Sequence, residues 1–230
     1  MKTYRNRWAV WVLVAALGMA MTAIVEPQSV GQGGSQNGDW SQFRGPGGLG
    51  ISGQKGLPLT WGAEKNVVWK TELPGPGASS PITVGERIFV TCYTGYGVNS
   101  QEPGEVAELR RHLLCINRAD GRIVWNREIK ARMPEPPYRG SMQRHGYASS
   151  TPASDGERVY AFFGKSGVFA FDLDGRQLWH ADVGFGTHEW GTGASPVVYR
   201  NLVIVNASIE SESLVALSAN SGKEVWRADG

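Results

Sequence analysis

The sequence predicts an all-β protein, a β-propeller of four-stranded antiparallel blades. Three observations carry that expectation. Four tryptophans recur in closely similar settings, Val68-Trp69-Lys70, Val124-Trp125-Asn126, Leu178-Trp179-His180 and Val225-Trp226-Arg227, at spacings of 56, 54 and 47 residues. A glycine stands four residues before each of the last three, at Gly121, Gly175 and Gly222, and a short apolar run ending in a polar residue leads into each glycine: LLCIN, VFAFD and LVALS. Farther upstream, Ser80-Pro81, Thr151-Pro152 and Ser195-Pro196 each open a strand, a turn and a second strand. A four-stranded unit recurring at this period is what propeller blades look like in sequence. Composition agrees, because 31 Gly and 9 Trp without a Gly-X-Y period suit short strands joined by tight turns.

In chain order, Lys2, Arg5 and Arg7 precede an uncharged apolar stretch from Trp8 to Val25, closed by Glu26 and Pro27. This is the layout of a secretory signal, residues 1–25, with Gly18 and Ala20 as small residues flanking a cleavage point and Ala23 as an alternative. The other reading is an uncleaved anchor, since about 18 apolar residues just span a bilayer. Either way the rest is exported, to the periplasm or cell envelope, and meets a membrane only through this segment. Without the three leading basic residues the chain carries 20 basic against 21 acidic residues. That balance, with no dense basic run, argues against nucleic acid as a partner. Residues 26–38 are a polar, glycine-rich linker, and 39–230 hold the repeats.

The strands of blade one are expected at 78–84, 87–93, 112–117 and 123–129. Those of blade two fall at 148–153, 158–163, 168–172 and 177–183, and those of blade three at 194–199, 202–207, 213–218 and 224–228. Residues 67–73 are expected as a lone fourth strand that would complete the last blade of a closed ring. The chain thus supplies about three blades plus one strand of a presumed seven- or eight-bladed ring, and reads as the front part of a longer protein.

Gly-x-x-x-Trp has a physical logic. Glycine supplies the positive φ that a tight turn needs before the outermost strand. The tryptophan on that strand covers the seam with the neighbouring blade, burying on the order of 200 Å² and offering one N–H to a backbone carbonyl. The turn at 172–175 is one residue shorter than its counterparts.

The segments Cys115-Ile116-Asn117…Gly121…Trp125, Ala170-Phe171-Asp172…Gly175…Trp179 and Ala216-Leu217-Ser218…Gly222…Trp226 resemble the tryptophan-docking repeat of the pyrrolo-quinoline quinone (PQQ) family of β-propellers. Asp39-Trp40-Ser41-Gln42-Phe43-Arg44-Gly45-Pro46 looks like the start of exported members. The resemblance implies one of two functions. Some members are quinone-dependent alcohol or sugar dehydrogenases; others are cofactor-free scaffolds, such as the propeller lipoprotein of the outer-membrane barrel-assembly machinery. The dehydrogenases carry an adjacent-cysteine disulfide and a calcium-binding acidic cluster with a catalytic Asp. Here Cys92 and Cys115 are far apart and no such cluster can be placed. The expectation is therefore a binding or assembly scaffold for protein or peptide partners in the cell envelope, with no catalytic residue, metal or cofactor assigned. The alternative is the N-terminal part of a quinone-dependent dehydrogenase, in which case PQQ and calcium are the cofactors.

Candidate ligand-binding residues sit in the loops entering the first strands. Aligning Pro152 with Pro196 sets Arg144 opposite His188 and His145 opposite Glu189, so that these four, with Trp190 for stacking, form a polar rim suited to an anionic or planar ligand. The competing reading is a hydrated loop surface, polar by default. The insertion 94–111, with Glu102, Glu105, Glu108, Arg110 and Arg111, reads as a solvated surface loop with a short helical turn, and MPEPPY at 133–138 as a stiff connector. Gly95-x-Gly97 and Gly184-x-Gly186 do not lead from strand to helix, so no phosphate-cradling loop is expected. Finally, pairing Phe163 with Val168 across a short turn, and aligning Cys92 with Phe163 and Cys115 with Ala170, makes the two cysteines diagonal neighbours on one face, roughly 7–8 Å apart, too far to bridge. Free, buried thiols are expected.

Overall fold

The computed structural model describes residues 38–230, which fall within one compact unit, Gly31–Gly230. The expected signal segment 1–25 and all but the last residue of the expected linker 26–38 lie outside the described residues. Three four-stranded antiparallel sheets follow one another along the chain. Blade one is β1 (Ile82–Val84), β2 (Arg87–Thr94), β3 (Arg110–Asn117) and β4 (Ile123–Lys130). Blade two is β5 (Ala153–Ser154), β6 (Arg158–Phe162), β7 (Val168–Asp172) and β8 (Gln177–Ala181). Blade three is β9 (Val197–Tyr199), β10 (Leu202–Ala207), β11 (Ser213–Ser218) and β12 (Glu224–Asp229). The longest α-helices among the described residues are single turns, α1 (Met142–His145) and α2 (Ser208–Ser211). The all-β propeller architecture read from the repeat is the one observed.

The cores lie at the seams. Alternation along a strand sends successive side chains to opposite faces, and blade two is covered on both. Its Val159, Ala161, Phe169 and Phe171 pack with Phe89, Leu113, Cys115 and Trp125 of blade one. Its Tyr160, Phe162, Val168 and Ala170 pack with Val203, Val205, Val215 and Leu217 of blade three. That is why β6 and β7 read as nearly continuous apolar runs rather than alternating ones.

The first three tryptophans of the repeat each dock on the glycine turn of the following blade. A Cβ added to Gly121 would fall 2.4 Å from the Trp69 ring, one on Gly175 2.8 Å from Trp125 and one on Gly222 2.6 Å from Trp179. All three glycines have positive φ, so the absence of a side chain serves both the turn and the ring lying on it. The indole N–H groups donate to backbone carbonyls: Trp69 to Arg118 at 3.0 Å, Trp125 to Leu173 at 3.0 Å and Trp179 to Ala219 at 2.9 Å. In every case the acceptor is the residue just after the third strand. The shorter turn of blade two therefore changes the distance in sequence from acceptor to glycine without changing the contact.

Several elements differ from expectation. The first strands are shorter, because their leading halves bond sideways to the neighbouring blade instead of along the ladder: Ala78 N–H donates to Ala148 O, Ser80 N–H to Thr151 Oγ1 and Thr151 N–H to Ser195 Oγ. Residues 67–73 form no strand, since no strand among the described residues runs beside them; Trp69 and the Thr71 hydroxyl, which donates to Gly121 O, still fix them to blade one. In blade two Phe162 rather than Phe163 pairs with Val168, because Phe163 enters a tight turn closed by its N–H on Gly167 O. In blade one Cys92 pairs with His112 and Cys115 with Phe89. Three residues separate Cys92 from Phe89, so the two cysteines face opposite sides of the sheet and are not diagonal neighbours. Both thiols are free and fully buried.

The Asp39-Trp40 segment lies against the inner strand of blade one. Trp40 and Thr83 exchange backbone hydrogen bonds at 3.1 and 3.0 Å, and Ser154 N–H of blade two donates to Ser41 O at 2.8 Å. The motif ties two blades together at their inner edges.

Candidate functional site

Antiparallel alternation brings five connections to one end of the sheets: the β2–β3 loop (95–109), the β4–β5 loop (131–152), the β6–β7 turn (163–167), the β8–β9 loop (182–196) and the β10–β11 turn (208–212). The proposed rim belongs to this end. His145 Nδ1 lies 2.9 Å from Ser149 Oγ, and a Cβ on Gly191 would be 3.3 Å from the His145 ring, so the two long loops do meet. His188 lines a narrow pocket between them, and its Nδ1 accepts the Trp190 N–H at 3.3 Å. Arg144 and Glu189 are exposed, as is Trp190, at 59%. Thus His188 lines the pocket, His145 stands behind the lining residue Ser149, and Arg144, Glu189 and Trp190 are exposed.

Below the mouth lies a buried polar cluster that sequence reasoning missed. Arg111 was expected on a solvated loop but opens β3 and is buried. Its Nε donates to Tyr147 O at 2.9 Å and its Nη1 to Ser166 Oγ at 3.2 Å. Nη1 also stands 2.8 Å from Glu135 Oε1, an ion pair with both side chains under 10% exposed. The contact is close enough for strong attraction but off the line of a hydrogen bond, so Oε1 keeps no donor of its own. Glu135 comes from the proline-rich connector, which packs through Tyr138 and Pro136. Tyr138 N–H donates to Tyr96 Oη, Tyr147 donates to Pro136 O, and Tyr93, Tyr96, Tyr138 and Tyr147 form one aromatic cluster. The insertion is therefore anchored by Tyr96 and Leu109 rather than lying free, and it carries the expected short helical turn, Val106–Glu108.

Lys165, in the turn of blade two, is 5% exposed and lines the pocket. Among the described residues its ammonium makes no hydrogen bond or ion pair. Burial lowers its pKa; attraction from Glu135 opposes that, and repulsion from Arg132 and Arg111 adds to it. Glu210, in α2 of blade three, is likewise 5% exposed. It accepts the Thr192 hydroxyl on Oε1, while Oε2 has no partner. Burial raises its pKa, outweighing the Thr192 bond. The signal for this cluster was weak: Lys165-Ser166 sits between two apolar strands where a turn is usually exposed, and Glu135 lies between prolines.

The donor set was tested against a quinone-and-calcium site. Calcium takes six to eight oxygen ligands. Among the described residues no group of three or more His, Cys, Asp or Glu side chains is gathered to hold a metal, and the rim offers Glu189 alone. These residues do not fit the cation.

The family model of the outer membrane protein assembly factor BamB matches residues 94–229. The chain belongs to that family. The match begins within the insertion and runs through Trp125, Trp179 and Trp226. None of the curated proteins compared matches the chain. Among solved structures, BamB from Moraxella catarrhalis is 13% identical, with a TM-score of 0.45 over 70% of this chain and 39% of that one. A quinohemoprotein alcohol dehydrogenase from Comamonas testosteroni is 15% identical, with a TM-score of 0.42 over 67% and 21%. A europium-containing methanol dehydrogenase is 19% identical, with a TM-score of 0.38 over 64% and 24%. The chain spans less than two fifths of the length of each of these proteins.

Proposed function

We propose that this BamB-like propeller segment serves in an exported protein of the periplasm or cell envelope as a binding and assembly scaffold for protein or peptide partners. The family match over residues 94–229 is the observation that supports the reading. The loop end adds to it. Long loops on a rigid sheet scaffold are where binding groups collect, and this end presents the exposed apolar side chains of Val98, Met133, Phe185 and Trp190 around a polar mouth. The signal-like segment 1–25 supports export, and Trp190 is the residue to contact a partner first.

Photo-crosslinking in cells tests this. A photoreactive residue at Trp190 or Val98 should give a defined protein adduct in the envelope fraction, and the same residue at Glu86, at the opposite end, should not. Equal labelling at both ends, or none at either, overturns the reading. In parallel, PQQ and calcium titrated against the purified chain should give no saturable micromolar change in tryptophan fluorescence or heat. Binding that Glu189→Ala abolishes would replace the scaffold with the dehydrogenase.

A further inference from the structure

The buried pocket has a charge imbalance that its own walls do not resolve. Two cations, Arg111 and Lys165, face two carboxyls, Glu135 and Glu210. Arg111 and Glu135 neutralise each other at 2.8 Å. Glu210 stands behind Thr192, and its burial favours the neutral carboxylic acid. A Cβ on Gly164 would lie 3.1 Å from Glu210 Oε1, so the turn that carries Lys165 abuts this acid directly. Lys165 lines the pocket with 5% of its surface exposed, and its ammonium, with three N–H donors, makes no hydrogen bond or ion pair among the described residues. An unpartnered cationic donor on the wall of an otherwise neutralised pocket marks a position for an anion.

The walls say which kind. Ser149, Thr187 and Thr192 add hydroxyls, while Met142, Phe162, Phe163 and Ile209 are apolar. The pocket is narrow, which suits a small group. A halide would gain nothing from the apolar walls, and a phosphate would bring a second negative charge that Lys165 alone does not match. A carboxylate on a short apolar stem meets all three conditions: a single negative charge for Lys165, acceptor oxygens for the hydroxyls, and carbon for the mouth. We propose that this pocket binds one carboxylate group, carried either by a small monocarboxylate or by the C-terminus of a peptide, with Lys165 as its counter-ion. The inference does not rest on the scaffold reading, because the small-molecule arm of the test needs no protein partner.

Sodium propionate and sodium chloride, titrated at matched ionic strength into the purified full chain, test it by calorimetry and melting temperature. Propionate should bind saturably and raise the melting temperature, chloride should not, and Lys165→Met should weaken propionate at least tenfold while Glu86→Ala leaves it unchanged. Equal effects of the two salts, or propionate binding unaltered in the Lys165→Met variant, overturn the proposal. Should that variant not fold, the wild-type comparison still decides, joined by Thr192→Val, which should weaken propionate severalfold. Glycyl-glycyl-valine against its C-terminal amide separates the sources. A tenfold preference for the free acid assigns the pocket to a chain terminus, and no preference together with propionate binding assigns it to a free monocarboxylate. Failure of both probes to bind overturns it.

Discussion

Cys92 and Cys115 sit on adjacent strands of blade one yet face opposite sides of the sheet, the first packed with Leu114 and Ile116 and the second with Phe89 and Trp125. No side-chain rotation brings the two sulfurs together without moving backbone, so two thiols per chain should titrate in the denatured, unreduced protein. Finding fewer would mean that the β2–β3 register differs from the one described.

The same burial sets a pH dependence. It pushes both thiols up to about 11 from an ordinary value of 9.0. A group whose folded pKa lies above its unfolded one favours the folded state below the unfolded value and loses that contribution as pH rises through the folded one. Urea midpoints should hold up to about pH 9 and fall between pH 9 and 11, and a Cys92→Ala, Cys115→Ala double variant should fall less over that interval. An equal slope in both proteins would show that the thiols are not the groups responsible.

Docked and undocked tryptophans should differ sharply. Trp125 is 8% exposed and bonds Leu173, whereas Trp226 is 38% exposed and its indole makes no hydrogen bond among the described residues. Trp125→Ala is expected to cost about 3–5 kcal/mol by denaturant unfolding, and Trp226→Ala under about 1 kcal/mol. Comparable losses would contradict the seam assignment.

Glycines of positive φ should also separate into two groups. Gly85 has open space where a Cβ would go, while a Cβ on Gly121 would run into Trp69. Gly85→Ala should cost about 1 kcal/mol for the backbone alone. Gly121→Ala should cost about 1–3 kcal/mol more, because the ring must shift. Melting of the two variants side by side checks the difference.

Asp155 gives the acid-side counterpart. Burial by itself would raise its pKa, but the Tyr160 hydroxyl, the N–H groups of Glu157 and Arg158 and the Arg158 guanidinium together hold it below the usual carboxylate value. A lowered folded pKa contributes stability above the unfolded value of 3.8 and loses it as pH falls further. Asp155→Asn should cost about 1–3 kcal/mol at pH 7, and the gap from wild type should narrow below pH 4. A constant gap down to pH 2 would assign the loss to the turn's shape rather than to its charge.

The blades were legible because their determinants are local and repeated. Gly-x-x-x-Trp fixes the outer strand and its turn together, and apolar runs such as VFAFD mark strands covered on both faces. Register was not legible where a turn's conformation decides it. Whether Phe163 belongs to β6 or to the turn depends on one hydrogen bond to Gly167, and that single residue moves every pairing beyond it. The pocket was hidden for a different reason. Arg111 near the start of β3 and Glu135, Lys165 and Glu210 in three separate connections read as solvated polar residues one at a time; only the stacking of three blades buries them together. The alignment of Pro152 with Pro196 could not tell that His188 lines the pocket while Arg144 and Glu189 do not.

The indole acceptor sits directly after the third strand whether the glycine follows two residues later, as in Leu173 to Gly175, or three, as in Arg118 to Gly121 and Ala219 to Gly222. Adhesion between blades is thus measured from the strand and not from the turn. A propeller built this way tolerates a codon gained or lost at that corner, so its repeats are free to diverge in length there while the ring keeps its grip from one blade to the next.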